Sequence, residues 1–393
     1  MNRMQLTRRD FLGRSVVAGT GIAAGLGAAT LGGVARAASN TSNPPPIVSL
    51  TYGPDRADNA FRACQMFKKQ IAAAIGTKRV VIKVNFVWYG PALCCTYAPH
   101  IEGILEFLKS IGKRDVVVAE CSATSSAFGG YDYMSYWYLT KRYPVKLTDL
   151  NEEGYANVKI WASGGWQYDA QNNVVRTDNT LVPIRVSKLL MNPDNFIISA
   201  APMKTHNTVL VTLSTKNVAM GAPLIDIGAG WKQAGTHGDK STMHGALGAP
   251  SGTGAGYDYQ LLNDNVYRLA KVYGIRPDLA VIDGYCGMEH NGPVSGTALA
   301  NPQMIALASL DHLAADRVGL QLMGSNVNVT LPRTSQPFPA CLNYLGQAGL
   351  GQWDYSKITV LGESVSNHVV NYAANDFQTS GYETASIAPT PRD

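Results

Sequence analysis

From Ile47 onward the chain alternates short, continuous apolar runs with stretches in which apolar residues recur every three or four positions. Ile47–Tyr52, Arg79–Val87, Asp115–Glu120, Asn195–Ala201, Leu279–Asp283, Met304–Leu307 and Ile358–Leu361 read as strands. Val80-Val81-Ile82 and Val116-Val117-Val118 carry no polar alternation, as expected of strands covered on both faces. Asp58–Ile75 reads as a helix, with Phe61, Cys64, Phe67, Ile71 and Ile75 on one side. Ala98–Ile111, the aromatic-rich Tyr131–Tyr143, Val209–Met220, Leu261–Tyr273 and His312–Met323 read as further helices. Repeated strand–helix–strand units predict an α/β fold. The sheet is mainly parallel, open and Rossmann-like, with helices on both faces. Between 151 and 186 the pattern breaks into short alternating runs punctuated by Gly164-Gly165 and Asn172-Asn173, which predicts a small β-hairpin insertion. Residues 223–257 are Gly-rich and aperiodic, a length of irregular chain expected of a lid or binding loop. The reading is of one domain over 47–375, followed by a tail, 376–393.

The stretch before Ile47 is of a different kind. Thr7-Arg8-Arg9-Asp10-Phe11-Leu12 matches a twin-arginine export signal apart from a closing lysine, replaced by Gly13. A weakly apolar run, Val16–Val34, and an A-x-A site at Ala35-Arg36-Ala37 follow. Residues 1–37 are therefore expected to be a cleaved signal peptide, and 38–46, ending in three prolines, a linker. This implies the twin-arginine translocase as a partner during export, a periplasmic or extracellular location, and no membrane anchor after cleavage. It also directs attention to a cofactor, since this route carries folded cargo. Removing Arg3, Arg8, Arg9, Arg14 and Arg36 together with Asp10 brings the formal net charge of +5 down to about +1. That near-neutral balance gives no electrostatic case for nucleic acid.

Ligands of open α/β sheets bind beyond the carboxyl ends of the strands. Cys94, Cys95 and His100 follow the second strand, and Glu120 and Cys121 end the third. Lys204, Thr205 and His206 follow Asn195–Ala201, while Asp283, Cys286, Glu289 and His290 close or follow Leu279–Asp283. Lys83 interrupts an apolar strand, so it is expected to face a carboxylate or a bound anion. Lys216, on the expected 209–220 helix, is a further candidate for an anionic substrate or a solvated helix face. His237 and His244 lie in the Gly-rich loop, from which a closing lid could carry them over the strand ends. No G-x-S-x-G elbow is present, and the Gly-rich stretch does not follow a strand and open a helix as a dinucleotide fingerprint does.

Val-Ile-Lys-Val-Asn (81–85), Ala-Pro-Met-Lys-Thr-His (201–206), Thr-Lys-Asn-Val-Ala-Met-Gly (215–221), Pro-Asp-Leu-Ala-Val-Ile-Asp-Gly (277–284), Met-Glu-His-Asn-Gly-Pro (288–293) and Asp316 with Met323-Gly324 occur in this order. In that combination the chain resembles the domain-of-unknown-function family three-sixty-two (DUF362), over about 80–324. The resemblance implies a common site with polar positions at Lys83, Asn85, Glu120, Lys204, His206, Lys216, Asn217, His244, Asp283, Glu289 and Asp316. His290 departs from the family pattern, which more often has glycine there. The ferredoxin-like iron–sulfur module of some relatives is not expected, because no C-x-x-C-x-x-C run is present.

Three readings stay open at this point. The first is an exported metal-dependent enzyme acting on an anionic small molecule. Glu120, His206, His244, Asp283 and Asp316 would hold a divalent metal ion, and Lys83, Lys204 and Lys216 would serve the substrate. The second is a redox protein with an iron–sulfur cluster or copper on Cys94, Cys95, Cys121 and Cys286. The third is a non-catalytic periplasmic protein whose lysine-rich cleft captures an anion.

Overall fold

Val80-Val81-Ile82, Val116-Val117-Val118 and Phe196-Ile197-Ile198 lie side by side in the middle of one sheet, where both faces are covered and every one of these side chains is buried. The architecture comes from a computed structural model. It describes residues 46–123, 125–163, 166–168, 174–176, 179–206, 209–226, 239–244, 259–327, 340–373 and 390–392. The expected signal peptide, nearly all of the linker, His237 and most of the Gly-rich stretch and the tail lie outside the described residues.

The strands are β1 (Ile47–Tyr52), β2 (Arg79–Lys83), β3 (Val116–Glu120), β4 (Val145–Asp149), β5 (Tyr155–Ser163), β6 (Trp166–Tyr168), β7 (Val174–Arg176) and β8 (Asn179–Ser187). They continue with β9 (Asn195–Ser199), β10 (Pro202–His206), β11 (Leu210–Thr212), β12 (Leu279–Glu289), β13 (Thr297–Ala298), β14 (Ile305–Ser309) and β15 (Thr359–Gly362). The main sheet runs β15-β1-β14-β12-β9-β2-β3-β4. Pairing is parallel from β12 through β9, β2 and β3 to β4, and between β1 and β15. The exception is β14, antiparallel to both β1 and β12. The chain is thus a mixed α/β protein with a mostly parallel sheet flanked by helices, as the alternation predicts. The expected insertion is a hairpin, β5 against β8, with β6 and β7 paired beyond it.

Alternate residues of each central strand feed two separate cores. Val80, Ile82, Val118, Phe196 and Ile198 pack on one face with helices Arg56–Gln65 and Ala98–Ser110. Val81, Val117, Ala119, Ile197 and Ile282 pack on the other with helices Tyr259–Lys271, His312–Met323 and Ala340–Gln347.

Four local expectations change. The helix expected over Asp58–Ile75 is two, Arg56–Gln65 and Lys68–Ile75, with a break that buries Phe67 while Met66 stays exposed. Tyr131–Tyr143 likewise resolves into Ala127–Tyr133 and Trp137–Arg142, around Ser135 at φ +58°. Val209–Met220 is not one helix: β11 comes first, paired to β10, and only Ser214–Ala219 is helical. Finally β12 runs six residues past Asp283, to Glu289. There the chain turns at His290, whose φ of +60° is the left-handed conformation that glycine adopts without strain.

Candidate functional site

Strand β2 ends at Lys83, and the chain then bends so that Asn85 and Phe86 cross the end of β3. β10 and β11 form a hairpin beside the end of β12, and the helix Ser214–Ala219 follows directly. These elements enclose a cavity of about 630 Å³ at the carboxyl ends of β2 and β3. Lys83, Asn85, Glu120, Cys121, Lys204, His206, Thr212, Lys216, Asn217, Lys240 and His244 contribute its polar wall. Val87, Trp88, Met220, Pro293 and Val294 contribute apolar surface.

Its floor is a closed polar network. Lys83 Nζ donates to Glu120 Oε1 at 2.6 Å, to the Val84 carbonyl at 2.6 Å and to Asn217 Oδ1 at 3.3 Å, which uses all three ammonium protons. The carboxylate expected opposite Lys83 is therefore Glu120. Glu120 also accepts from the Cys121 and Phe86 amides, at 2.7 and 2.6 Å. The Asn217 side chain is equally committed. Its Nδ2 donates to the Lys83 carbonyl and Ser199 Oγ, and its Oδ1 also accepts from Asn85 Nδ2. Gly221 makes room for this arrangement, since a Cβ there would stand 2.2 Å from Lys83 Cε and 2.4 Å from the Asn217 carbonyl.

The walls are different. Lys204 Nζ donates to Asn85 Oδ1 at 2.6 Å and to the Cys94 carbonyl at 2.8 Å, and Lys240 Nζ to the Met220 carbonyl at 2.7 Å. Neither has a carboxylate partner among the described residues. Lys216 Nζ has no hydrogen-bond or ion-pair partner among the described residues, although the residue is only 9% exposed. Burial, reinforced by Lys204, Lys240 and Lys83, lowers the Lys216 ammonium to about 7. Burial likewise lowers Lys204 to about 8, with nearby Cys94, Cys95 and Glu120 opposing the shift. His206 and His244 are held neutral, first by burial and then by the adjacent Lys216 charge. His206 stays well below the usual imidazole range and His244 falls to about 3. Because His206 Nδ1 accepts from the Val209 amide at 3.4 Å, its neutral ring carries the proton on Nε2.

Eight of the eleven positions implied by the family resemblance line this one cavity; Asp283, Glu289 and Asp316 do not. Asp283 lies against Arg56 at 3.5 Å and accepts from the Tyr285 amide, while the Arg56 guanidinium sits over the rings of Tyr97 and Tyr285. Glu289 accepts from the Ala373 amide. Asp316 accepts from the Ser214 and Thr215 amides at 2.7 and 2.9 Å, so a carboxylate from another helix caps Ser214–Ala219, whose own preceding residue is Leu213. Burial raises its carboxyl to about 7.

The five expected metal ligands are thus not assembled. Glu120, His206 and His244 reach the cavity, and Asp283 and Asp316 are occupied elsewhere. The four expected cluster cysteines are also dispersed. Cys121 lines the cavity, Cys94 and Cys95 donate to the carbonyls of Val294 and Trp88, and Cys286 stands near Arg56 and Asp283. Burial raises all four thiols. Among the described residues no three His, Cys, Asp or Glu side chains form a group able to hold a metal ion. Lys240 escaped the sequence reading because it stands in the aperiodic Gly-rich stretch, where no pattern marks a buried lysine. Its only sign was the four-residue helix Asp239–Thr242, too short to read.

Comparison with known proteins adds the following. The family model described as Domain of unknown function (DUF362) matches residues 80–321. No curated protein matches the chain. Among solved structures, the chain is similar to a protein from Thermotoga maritima at 12% identity and a TM-score of 0.33. The match covers 63% of this chain and 55% of that one.

Proposed function

Because the chain belongs to the family Domain of unknown function (DUF362), whose name assigns no reaction, we propose a function from the site itself: the cavity binds an anionic small molecule and acts on it through Lys216. The observation that carries this reading is the charge balance of the cavity. Lys83, Lys204, Lys216 and Lys240 converge there, and Glu120, the one carboxylate lining it among the described residues, is already engaged by Lys83. Lys204 and Lys240 retain unused donors for an oxyanion. Lys216, with an amine lowered to about 7, suits proton transfer near neutral pH.

A divalent metal is the weaker partner for this cavity, since three lysines without carboxylate partners among the described residues oppose a cation beside His206 and His244. Dispersed, protonated thiols support an iron–sulfur or copper site less well still. Calorimetric titration with inorganic phosphate and with pyruvate tests the reading. Saturable binding is expected, weakened at least about tenfold (roughly 1.4 kcal/mol) in Lys204→Met. Binding of neither anion to the wild-type chain would sink it. The Thr7-Arg8-Arg9-Asp10-Phe11-Leu12 stretch supports a separate proposal, that the protein works outside the cytoplasm after twin-arginine export. Replacing Arg8 and Arg9 by lysine should leave the chain in the cytoplasmic fraction, and unchanged export of that variant would contradict the route.

A further inference from the structure

We propose that Lys216 is a covalent site: it forms a reversible imine with a carbonyl-bearing anion, a 2-oxo acid in its simplest form, held by Lys204 and Lys240. The proposal rests on the anion-binding reading above and deepens it. Lysine becomes a nucleophile only as the free amine. Two arrangements free it at neutral pH, a dry site and neighbouring cations. Lys216 has both, being buried in the cavity wall beside Lys204 and Lys240, with no carboxylate among the described residues to hold its proton. The contrast with Lys83, which lines the same cavity and is bonded through every proton, marks Lys216 as the amine left available.

The electrophile follows from chemistry. An amine condenses with a ketone or aldehyde without a cofactor or an activated leaving group. The Nζ lone pair forms the C–N bond, and the carbonyl π pair moves to oxygen and takes up a proton. The resulting carbinolamine then loses its oxygen as water, leaving a C=N bond, with no net oxidation. Both protons of the neutral amine leave in that water, so no outside acid is consumed; the Nε2–H of the neutral His206 ring, which lines the same cavity, can donate a hydrogen bond to the oxygen as it departs. An adjacent carboxylate on the ligand would meet the unused donors of Lys204 and Lys240. The apolar wall at Trp88, Met220 and Val294 would meet its carbon chain.

The experiment is reductive trapping. The full-length chain is incubated with pyruvate and sodium cyanoborohydride, then analysed by intact mass and peptide mapping. The expected result is a single adduct on Lys216, formed at least ten times faster than on any other lysine, suppressed by excess phosphate and absent from Lys216→Arg. Calorimetric phosphate binding by that variant shows that it is folded and that its cavity is intact. Pyruvate binding without trapping at Lys216, or trapping that persists at the same rate in Lys216→Arg, overturns the imine and leaves the anion site standing. Failure of both phosphate and pyruvate to bind removes the anion reading and this inference together.

Discussion

The floor and the wall of one cavity treat lysine in opposite ways. At the floor, Lys83 and Glu120 are almost inaccessible, 2.6 Å apart, and both are bonded to backbone as well. In the wall, Lys216 is nearly as buried and bonded to nothing among the described residues. A buried pair whose geometry is complete stabilises its surroundings chiefly in the sense that neither half can be removed alone. An unpaired buried ammonium opposes folding, and a fold retains one where something outside the chain is meant to meet it. The difference separates scaffold from working surface within a single network.

Breaking the floor should have the largest effect. Glu120→Gln strips buried Lys83 of its counter-charge, so the amine is left uncompensated or must lose its proton on folding, and the change is expected to cost about 3–5 kcal/mol in denaturant unfolding. A loss below about 1 kcal/mol would mean that the pair is not the anchor described above. The wall should respond with the opposite sign. Lys216→Met removes an unpaired cation and is expected to stabilise by about 0.5–2 kcal/mol while abolishing turnover or trapping. The same residue gives the comparison a pH signature. Its folded ammonium titrates at about 7, well below the ordinary lysine value, so the unfolded chain holds more protons between those two points. Stability contributed by this group is therefore full above the unfolded value and is lost as pH falls towards 7. Wild-type unfolding free energy minus that of Lys216→Met should rise with pH from about 7 to 10. A flat difference across that range would show that the Lys216 ammonium is not depressed.

The sheet was legible because its central strands are covered on both faces, which forces Val80-Val81-Ile82, Val116-Val117-Val118 and Phe196-Ile197-Ile198 to be apolar throughout. β10 was not legible. Pro202-Met203-Lys204-Thr205-His206 is wholly buried, yet its polar side chains Lys204 and His206 face a cavity instead of a core, so it reads as a loop. β4 was hidden for a related reason: it is the edge of the sheet, and Lys146 on it stays exposed. The site followed the same division. Lys83, Lys204, Glu120 and His206 were visible as polar residues in or after strands, and Lys216 as a lysine on an expected helix. The direction of each side chain was not, and it sends Asp283 to Arg56 and Asp316 to a helix end. Residue types at strand ends therefore located the cavity, while its exclusion of two carboxylates removed two of the five expected metal ligands and left lysines in the majority among the charged side chains described there.

The Asn217 amide has one more consequence. With both protons and both lone-pair directions of its side chain committed to Lys83, Ser199 and Asn85, it ties the residue next to Lys216 to two strands at once. That bracing is present before any ligand arrives, so the amine is offered at a fixed depth. If the proposed imine forms there, such a site would discriminate by reach, favouring molecules whose carbonyl carbon and charged end are spaced to match Lys216 and Lys204 over shorter or longer homologues.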